Sequence, residues 1–156
     1  MNSGPTLQNG SSGDDVKRLQ RILVMIKLLD YTGIDGNFGP ETEAAVKAFQ
    51  QSKGLAVDGI AGTMTWQALP ADPDTPELSN GSTGSEVSAM QQVLQNAGLY
   101  AGPIDGDFGP NTENAVKSYQ TQRAVSVDGI VGDQTWWVPA GAAGATLASL
   151  AGLTTA

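Results

Sequence analysis

The sequence contains one passage twice, and this duplication constrains the fold more than any other feature. IDGNFGPETEAAVKAFQ at residues 34–50 returns as IDGDFGPNTENAVKSYQ at 104–120, with 12 of 17 positions identical at an offset of 70. A repeat of this kind indicates a chain built from copies of one unit. The 156 residues therefore favour two small domains over one domain of ordinary size.

The repeat extends on both sides of that passage. LQNGSSGDDVKRLQRIL at 7–23 matches LSNGSTGSEVSAMQQVL at 78–94. VDGIAGTMTW at 57–66 matches VDGIVGDQTW at 127–136. Between the copies lies PADPDTPE, whose prolines and acids are typical of a linker. The predicted divisions are repeat 1 at 1–69, a linker at 70–77, repeat 2 at 78–138 and an uncharged tail at 139–156.

Each copy shows the pattern of three helices. Apolar residues recur at helical spacing, and Pro40, like its counterpart in copy two, suits the first position of a helix. Ser12 lies three residues before Asp15, and Thr83 lies three before Glu86, which predicts a capping box in each copy. We therefore predict an all-α fold of two three-helix units. The predicted helices are 13–28, 40–53 and 62–69, then 84–98, 110–123 and 132–138.

Asp-Gly occurs four times, each time shortly before a predicted helix. Gly tolerates a positive φ and Asp can bond its own downstream backbone, so each pair predicts a turn that sets up the next helix. Phe38 and Phe108 follow two of these turns and are predicted core residues. Four Gln residues could satisfy loop backbone groups or contact a ligand amide, and we favour the structural role. They are Gln20, Gln50, Gln91 and Gln120.

Composition argues against several function classes. The chain has no Cys and no His, which removes disulfides, thiolate chemistry, the commonest zinc ligand and the usual general base. A net charge of −8 argues against a nucleic-acid partner. No apolar run is long enough for a membrane span. No calcium-loop pattern occurs, and we expect neither a metal nor a cofactor. A glycosidase needs two carboxylates across a cleft, whereas the repeated acids here predict turns, so we expect no enzyme.

Three motifs in a fixed order resemble a known family. In both copies G-S-x-G-x-x-V-x-x-[LM]-Q is followed by D-G-x-F-G-P-x-T-E-x-A-V-K-x-[FY]-Q and then by V-D-G-I-x-G-x-x-T-W. This order resembles the three-helix peptidoglycan-binding domain, a module found beside amidases, carboxypeptidases and other wall hydrolases. The resemblance covers nearly all of 7–69 and 78–137. It implies a compact three-helix fold and an affinity for bacterial cell-wall peptidoglycan. Since the residues show no catalytic pattern, we expect this binding to be non-catalytic.

Aromatic residues and the acids of the Asp-Gly turns are the candidate ligand contacts. A sugar–peptide ligand offers apolar ring faces, hydroxyls and amides, which suit aromatic planes and carboxylates. Trp137 stands where copy one has Gln67. Because Trp136 and Trp137 are adjacent, they cannot both be buried on one helix face, so one needs a sugar, the other repeat or the tail as a partner surface. The candidates are Tyr31, Asp35, Trp66, Tyr100, Asp105, Asp107 and Trp137.

The uncharged tail predicts an attachment element. Leu147, Leu150 and Leu153 form a narrow apolar stripe if the tail is helical. The stripe could fold back beside Trp137, dock to a protein partner or touch a membrane. Two functions stay open: a tandem wall-binding protein, whose duplication raises avidity, and an adaptor or cap subunit of a phage-tail-like or contractile injection particle, docked through 140–156.

The N-terminus MNSGPTLQNG lacks the basic and apolar regions of a secretory signal. We therefore expect a bacterial or phage protein made in the cytoplasm without a classical signal peptide. Its expected place of action is the cell wall or a particle.

Overall fold

The structure is a computed structural model that describes residues 3–70, 75–139 and 145–153. The chain divides into two compact units, one reaching Pro73 and the other running from Asp74 to Thr154. Part of the predicted linker, 71–74, lies outside the described residues. Among the described residues of the predicted linker, Pro76 accepts a hydrogen bond from the Trp136 indole N–H.

Helices account for the regular structure of both units. Unit 1 contains α1 (Asp14–Met25), a 3-10 helix (Tyr31–Gly33), α2 (Pro40–Ser52) and α3 (Thr63–Ala68). Unit 2 contains α4 (Ser85–Asn96), α5 (Pro110–Arg123), α6 (Asp133–Trp137) and α7 (Leu147–Leu150). Within the described ranges the β-pairing is limited to isolated bridges, and no helix is long and apolar enough to cross a membrane.

The predicted all-α fold and its six helices are confirmed. The largest error is at the end of α1, which stops three residues before the predicted boundary at residue 28. Lys27 has a φ of 67°, and the Leu28 N–H donates to the Leu23 carbonyl at 2.9 Å. This 6→1 bond across a left-handed residue terminates the helix.

The predicted capping boxes of α1 and α4 are wrong. The N-cap residues are Gly13 and Gly84, and neither helix start has a side-chain cap. Ser12 and Thr83 instead form bridges to the Asp-Gly turns. The Gly13 N–H donates to the Gly36 carbonyl at 2.9 Å, a geometry that places Gly13 at a φ of 117°, where a side chain would be strained.

The core of each unit is closed by the segment that precedes its first helix. Val16, Phe38 and Val46 are buried in unit 1, and the α3 residue Trp66 is fully buried as well. The Trp66 indole N–H donates to the Pro5 carbonyl at 2.7 Å. Unit 2 repeats this arrangement, since the Trp136 indole N–H donates to the Pro76 carbonyl. Phe108 is buried like Phe38, as predicted for both residues.

The tail contributes a further element to unit 2. Helix α7 packs on α6 and α4. Thr146 and Ser149 form a capping box at its start, and Pro139 pairs with Thr146 in an isolated bridge. Residues 140–144 and 154–156 of the predicted tail lie outside the described residues.

Candidate functional site

A buried glutamine organises each Asp-Gly turn, and Gln50 shows the arrangement most clearly. Its Nε2 lies 2.8 Å from Asp58 Oδ1, 3.0 Å from the Ile60 carbonyl and 3.1 Å from Thr65 Oγ1. Its Oε1 accepts from the backbone N–H groups of Asp58 and Gly59. Asp58 Oδ1 also accepts from the Ile60 N–H at 3.0 Å. One side-chain amide therefore ties a helix, a turn and the start of the next helix together.

This network occurs four times, twice in each unit. The predicted structural role of the four Gln residues is confirmed, since all are buried and bonded in this way. The turns share the pattern D-G-x-x-G-x-x-T, and the closing Thr is the member that the sequence analysis missed, although its constant spacing was visible. The sets are Gln20, Asp35, Gly36 and Thr42; Gln50, Asp58, Gly59 and Thr65; Gln91, Asp105, Gly106 and Thr112; Gln120, Asp128, Gly129 and Thr135.

Three of these aspartates are held in their ionised form. The pKa of Asp58 is lowered first by the N–H of Ile60 and then by the Gln50 amide. The N–H of Asp107 and the Gln91 amide lower the pKa of Asp105 in the same order. The pKa of Asp35 is lowered chiefly by the N–H of Asn37, against a smaller opposing effect of burial. A carboxylate stabilised in this way is a turn acceptor and a poor proton donor.

The predicted acidic ligand contacts therefore serve the turns. Asp35 and Asp105 are exposed, but one oxygen of each is committed to a network. Asp107 is exposed, and its backbone supplies an N–H to Asp105 and a carbonyl to Gln91. Tyr31 begins the 3-10 helix and is half-buried.

Three of the four candidate aromatic rings are buried. Trp66 is enclosed in unit 1, with the Arg18 guanidinium 4.6 Å from its ring centroid. Tyr100 is buried, and its hydroxyl donates to the Pro103 carbonyl at 2.7 Å. Trp137 is only 3% exposed. These rings offer no open face for stacking on a sugar, contrary to the sequence-based expectation.

Trp137 is buried because the tail covers its helix. The corresponding Gln67 of unit 1 is exposed, whereas Trp137 lies on α6, on which α7 packs. Of the three proposed partner-docking leucines, Leu147 is fully buried within unit 2 and Leu153 is half-buried. Leu150 is 53% exposed. The stripe as a whole is thus not free to dock on a partner, and the internal alternative accounts for Leu147.

The grooves of the two units are lined differently. Unit 1 has a groove of about 380 Å³ beside Asp58 and Met64, and one of about 450 Å³ beside Phe49 and Pro70. Unit 2 has a groove of about 350 Å³ with neutral polar groups on one wall. We call it the amide groove. It is lined by Leu99, Tyr100, Ala101, Gly102, Asn111, Asn114, Ala115 and Ser118.

Of the amide groove, sequence reasoning identified only Tyr100. The available signal lay in the differences between the copies at the offset of 70. Asn111, Asn114 and Ser118 all carry neutral polar side chains, whereas copy one has one acid and two alanines at these positions. The residues of copy one are Glu41, Ala44 and Ala48.

Two helical units, each held by paired Gln–Asp-Gly–Thr networks, define a tandem module of the kind that the three motifs indicated. The chain belongs to the peptidoglycan binding domain family, whose model matches residues 12–69 and 83–137. The predicted family is thus confirmed, with one match in each repeat.

The chain is similar to parts of cell-wall enzymes. It is 37% identical over 162 residues to the N-acetylmuramoyl-L-alanine amidase CwlL of Bacillus licheniformis, covering 85% of this chain and 44% of that protein. It is 33% identical over 148 residues to the N-acetylmuramoyl-L-alanine amidase CwlM of Mycobacterium tuberculosis, covering 85% and 36%. The chain thus spans less than half the length of these curated relatives.

Among solved structures, the SleB N-terminal domain is 44% identical to the chain. The match covers 43% of this chain and 90% of that one, with a TM-score of 0.39.

Proposed function

We propose that this chain binds bacterial cell-wall peptidoglycan through its two modules and does not itself cleave the polymer. The observation that carries the proposal is the pair of family matches, one in each repeat. Two modules on a repeating polymer make the second contact intramolecular and raise avidity. The chain would act at the cell wall.

The chemistry of the acids supports the non-catalytic part of the proposal. A general acid at neutral pH needs a raised pKa, and three of the Asp-Gly carboxylates have lowered ones. The sequence supplies no His or Cys to activate a nucleophile or to bind catalytic zinc in the usual way. The matched amidases are more than twice as long as the region they share with this chain, so their activity need not reside in that region.

Sedimentation with purified sacculi tests binding, and product release tests cleavage. The full chain should pellet with sacculi and release neither reducing sugar nor free amine from them. Failure to pellet at low salt would remove the proposed function. Cleavage that is abolished by Asp35→Asn or Asp105→Asn, with the fold intact, would remove its non-catalytic part.

The second proposal is a docking role in a larger assembly. The docking surface is smaller than the three-leucine stripe expected from the sequence. Leu150 is the leucine of the tail stripe that remains well exposed, so it is the place where a protein partner would contact the tail. Leu150→Glu should then abolish co-purification with a particle and leave sacculus binding unchanged. Retained co-purification would exclude docking through this residue.

A further inference from the structure

We propose that the amide groove of unit 2 binds a neutral secondary amide of the wall polymer, supplied by a peptide bond of the stem or by an acetamido group. This inference rests on the proposed function and names the site and the chemistry within it. It also assigns this mode of amide binding to unit 2, because the equivalent positions of unit 1 carry one carboxylate and two methyl groups.

Three polar side chains line one wall of the groove. Asn111, Asn114 and Ser118 lie three and four residues apart on α5, so they share a helix face and span roughly 10 Å along its axis. A secondary amide presents one N–H donor and one carbonyl acceptor. Each Asn side chain presents both a donor and an acceptor, and the Ser hydroxyl can act as either. The wall therefore matches an amide without requiring a charge.

These side chains are not used to hold the fold. All three are exposed, while their neighbours Thr112 and Ala115 are buried. Across the described ranges none of the three makes a side-chain hydrogen bond to another protein group. Exposed, unpaired amides beside a concave surface are free to bind a ligand, and a ligand amide would replace water at little cost.

The opposite wall is fixed before a ligand arrives. Tyr100 is buried there, and its hydroxyl is bonded to the Pro103 carbonyl at 2.7 Å. A Cβ at Gly102 would lie 2.7 Å from the Tyr100 hydroxyl oxygen, so the absence of a side chain lets the loop lie against the ring. A pre-formed wall lowers the ordering cost of binding. The volume of about 350 Å³ is at the small end of ligand sites and suits a fragment of one or two residues.

The difference between the copies indicates the chemistry that is selected. At the equivalent positions of unit 1, the methyl groups of Ala44 and Ala48 can neither donate nor accept a hydrogen bond. Glu41, when ionised, only accepts, and covering its charge with a neutral ligand is costly because the charge loses water. Those three side chains therefore include no donor for a ligand carbonyl. The two repeats should differ in affinity for an uncharged amide.

The test exchanges the three residues between the copies of the full chain. Variant N111E/N114A/S118A gives unit 2 the residues of unit 1, and E41N/A44N/A48S is the matched control with the reciprocal changes in unit 1. N111A/N114A removes the amides without adding charge. Heteronuclear NMR follows binding of two soluble probes, muramyl dipeptide and tri-N-acetylchitotriose, and sedimentation follows binding to sacculi. Thermal melting confirms that each variant is folded.

In the unmodified chain at least one probe should shift the backbone resonances of 99–102 and 111–118. Muramyl dipeptide alone would identify a peptide amide, and shifts with chitotriose would identify the acetamido group. Both unit 2 variants should lose these shifts and weaken sacculus binding at least tenfold, while the control keeps both.

The outcomes separate a failure of this inference from a failure of the proposed function. If the unmodified chain pellets with sacculi but the unit 2 variants bind as well as it does, or the control loses as much, the inference is wrong and the proposed function stands. The inference is also wrong if neither probe shifts the groove resonances. If the unmodified chain does not pellet, the proposed function fails, and the inference fails with it.

Discussion

At the scale of single residues, each of the four buried glutamines hydrogen bonds to an Asp-Gly turn and to the helix that follows it. Gln91 Nε2 lies within 3.2 Å of Asp105 Oδ1, the Asp107 carbonyl and Thr112 Oγ1. Removing such an amide leaves buried donors and acceptors without partners, and each unsatisfied group costs about 1–3 kcal/mol. The networks are therefore sites where a small change should have a large effect.

Gln91→Ala should lower the free energy of unfolding of unit 2 by at least about 2 kcal/mol, measured by urea denaturation. Its neighbour Gln92 is exposed, and its side chain bonds to Gln95 and Asn96 on the same helix. Gln92→Ala is thus a matched control and should change stability by less than about 0.5 kcal/mol. Equal effects of the two changes would show that the network is not a principal source of stability.

Two residues that carry a Cβ lie in the left-handed region of backbone conformation, and we predict that replacing them with Gly stabilises the fold. Ala124 has a φ of 60° and Lys27 a φ of 67°, while their counterparts in the other copy are Gly54 and Gly98, also at positive φ. A residue with a Cβ is strained in this region and Gly is not, although Gly costs more entropy on folding. Ala124→Gly and Lys27→Gly should each raise the free energy of unfolding by roughly 0.5–1 kcal/mol, as measured by urea denaturation. A loss of stability in both would contradict this interpretation of the backbone.

The lowered pKa of Asp58 fixes the sign of a pH effect. A carboxyl group whose folded pKa lies below its unfolded value stabilises the fold above the unfolded value, near pH 4. That stability is lost as the pH falls through the folded pKa, because the unfolded chain takes up the proton more readily than the folded one. Stability measured from pH 7 to pH 2 should therefore decline most steeply below about pH 4.

Asp58→Asn should reduce that decline, and Glu77→Gln should serve as the control for the loss of one carboxylate outside the networks. An unchanged acid slope in Asp58→Asn would remove this residue as a source of the pH dependence.

At the scale of elements, the helices could be predicted because periodicity, Gly-Pro starts and turn residues agree. The N-caps of α1 and α4 could not be predicted, because the choice of Gly13 over Ser12 as N-cap depends on a carbonyl of a turn more than twenty residues away. Burial of Trp137 by the tail was one of the alternatives that the sequence left open, since the choice depends on where the tail packs. The amide groove was not predicted, because exposed Asn and Ser residues form no motif by themselves and stand out only when the two copies are compared.

The tail helix offers a matched pair for testing its role. Leu147 of α7 is fully buried within unit 2, and Leu150 on the same helix is 53% exposed. Leu147→Ala should lower the stability of unit 2 by about 2 kcal/mol, the low end for a buried leucine, because the segment can undock and so limit the loss. Leu150→Ala should have little effect. Hydrogen exchange of the α6 amides measures the effect of each substitution. Equal protection of these amides in the two variants would contradict the packing of the tail.

At the scale of the whole molecule, duplication matters only if both modules reach the same polymer. Val46 and Val116 occupy equivalent buried positions in the two units. A buried, unpaired carboxylate is costly enough to unfold a small unit, so Val46→Asp and Val116→Asp each leave one module. Each should weaken sacculus binding tenfold or more, by sedimentation, as expected when an intramolecular second contact is lost. If binding is unchanged in one of these variants, the module that stays folded in that variant accounts for all of the binding.

The bond from Trp66 to Pro5 also sets an order of events during synthesis. Its two ends are 61 residues apart, and Leu7 pairs with Ala61 over nearly the same interval. At about 5–20 residues per second, the segment around Pro5 waits roughly 3–12 s for its partner to be made. The segment around Pro5 therefore stays without these bonds until Ala61 and Trp66 are made, and a ribosome that stalls before Trp66 holds a chain in which this segment lacks its indole partner. The segment around Pro76 undergoes the same wait for Trp136, beginning only when the first unit is ready to close.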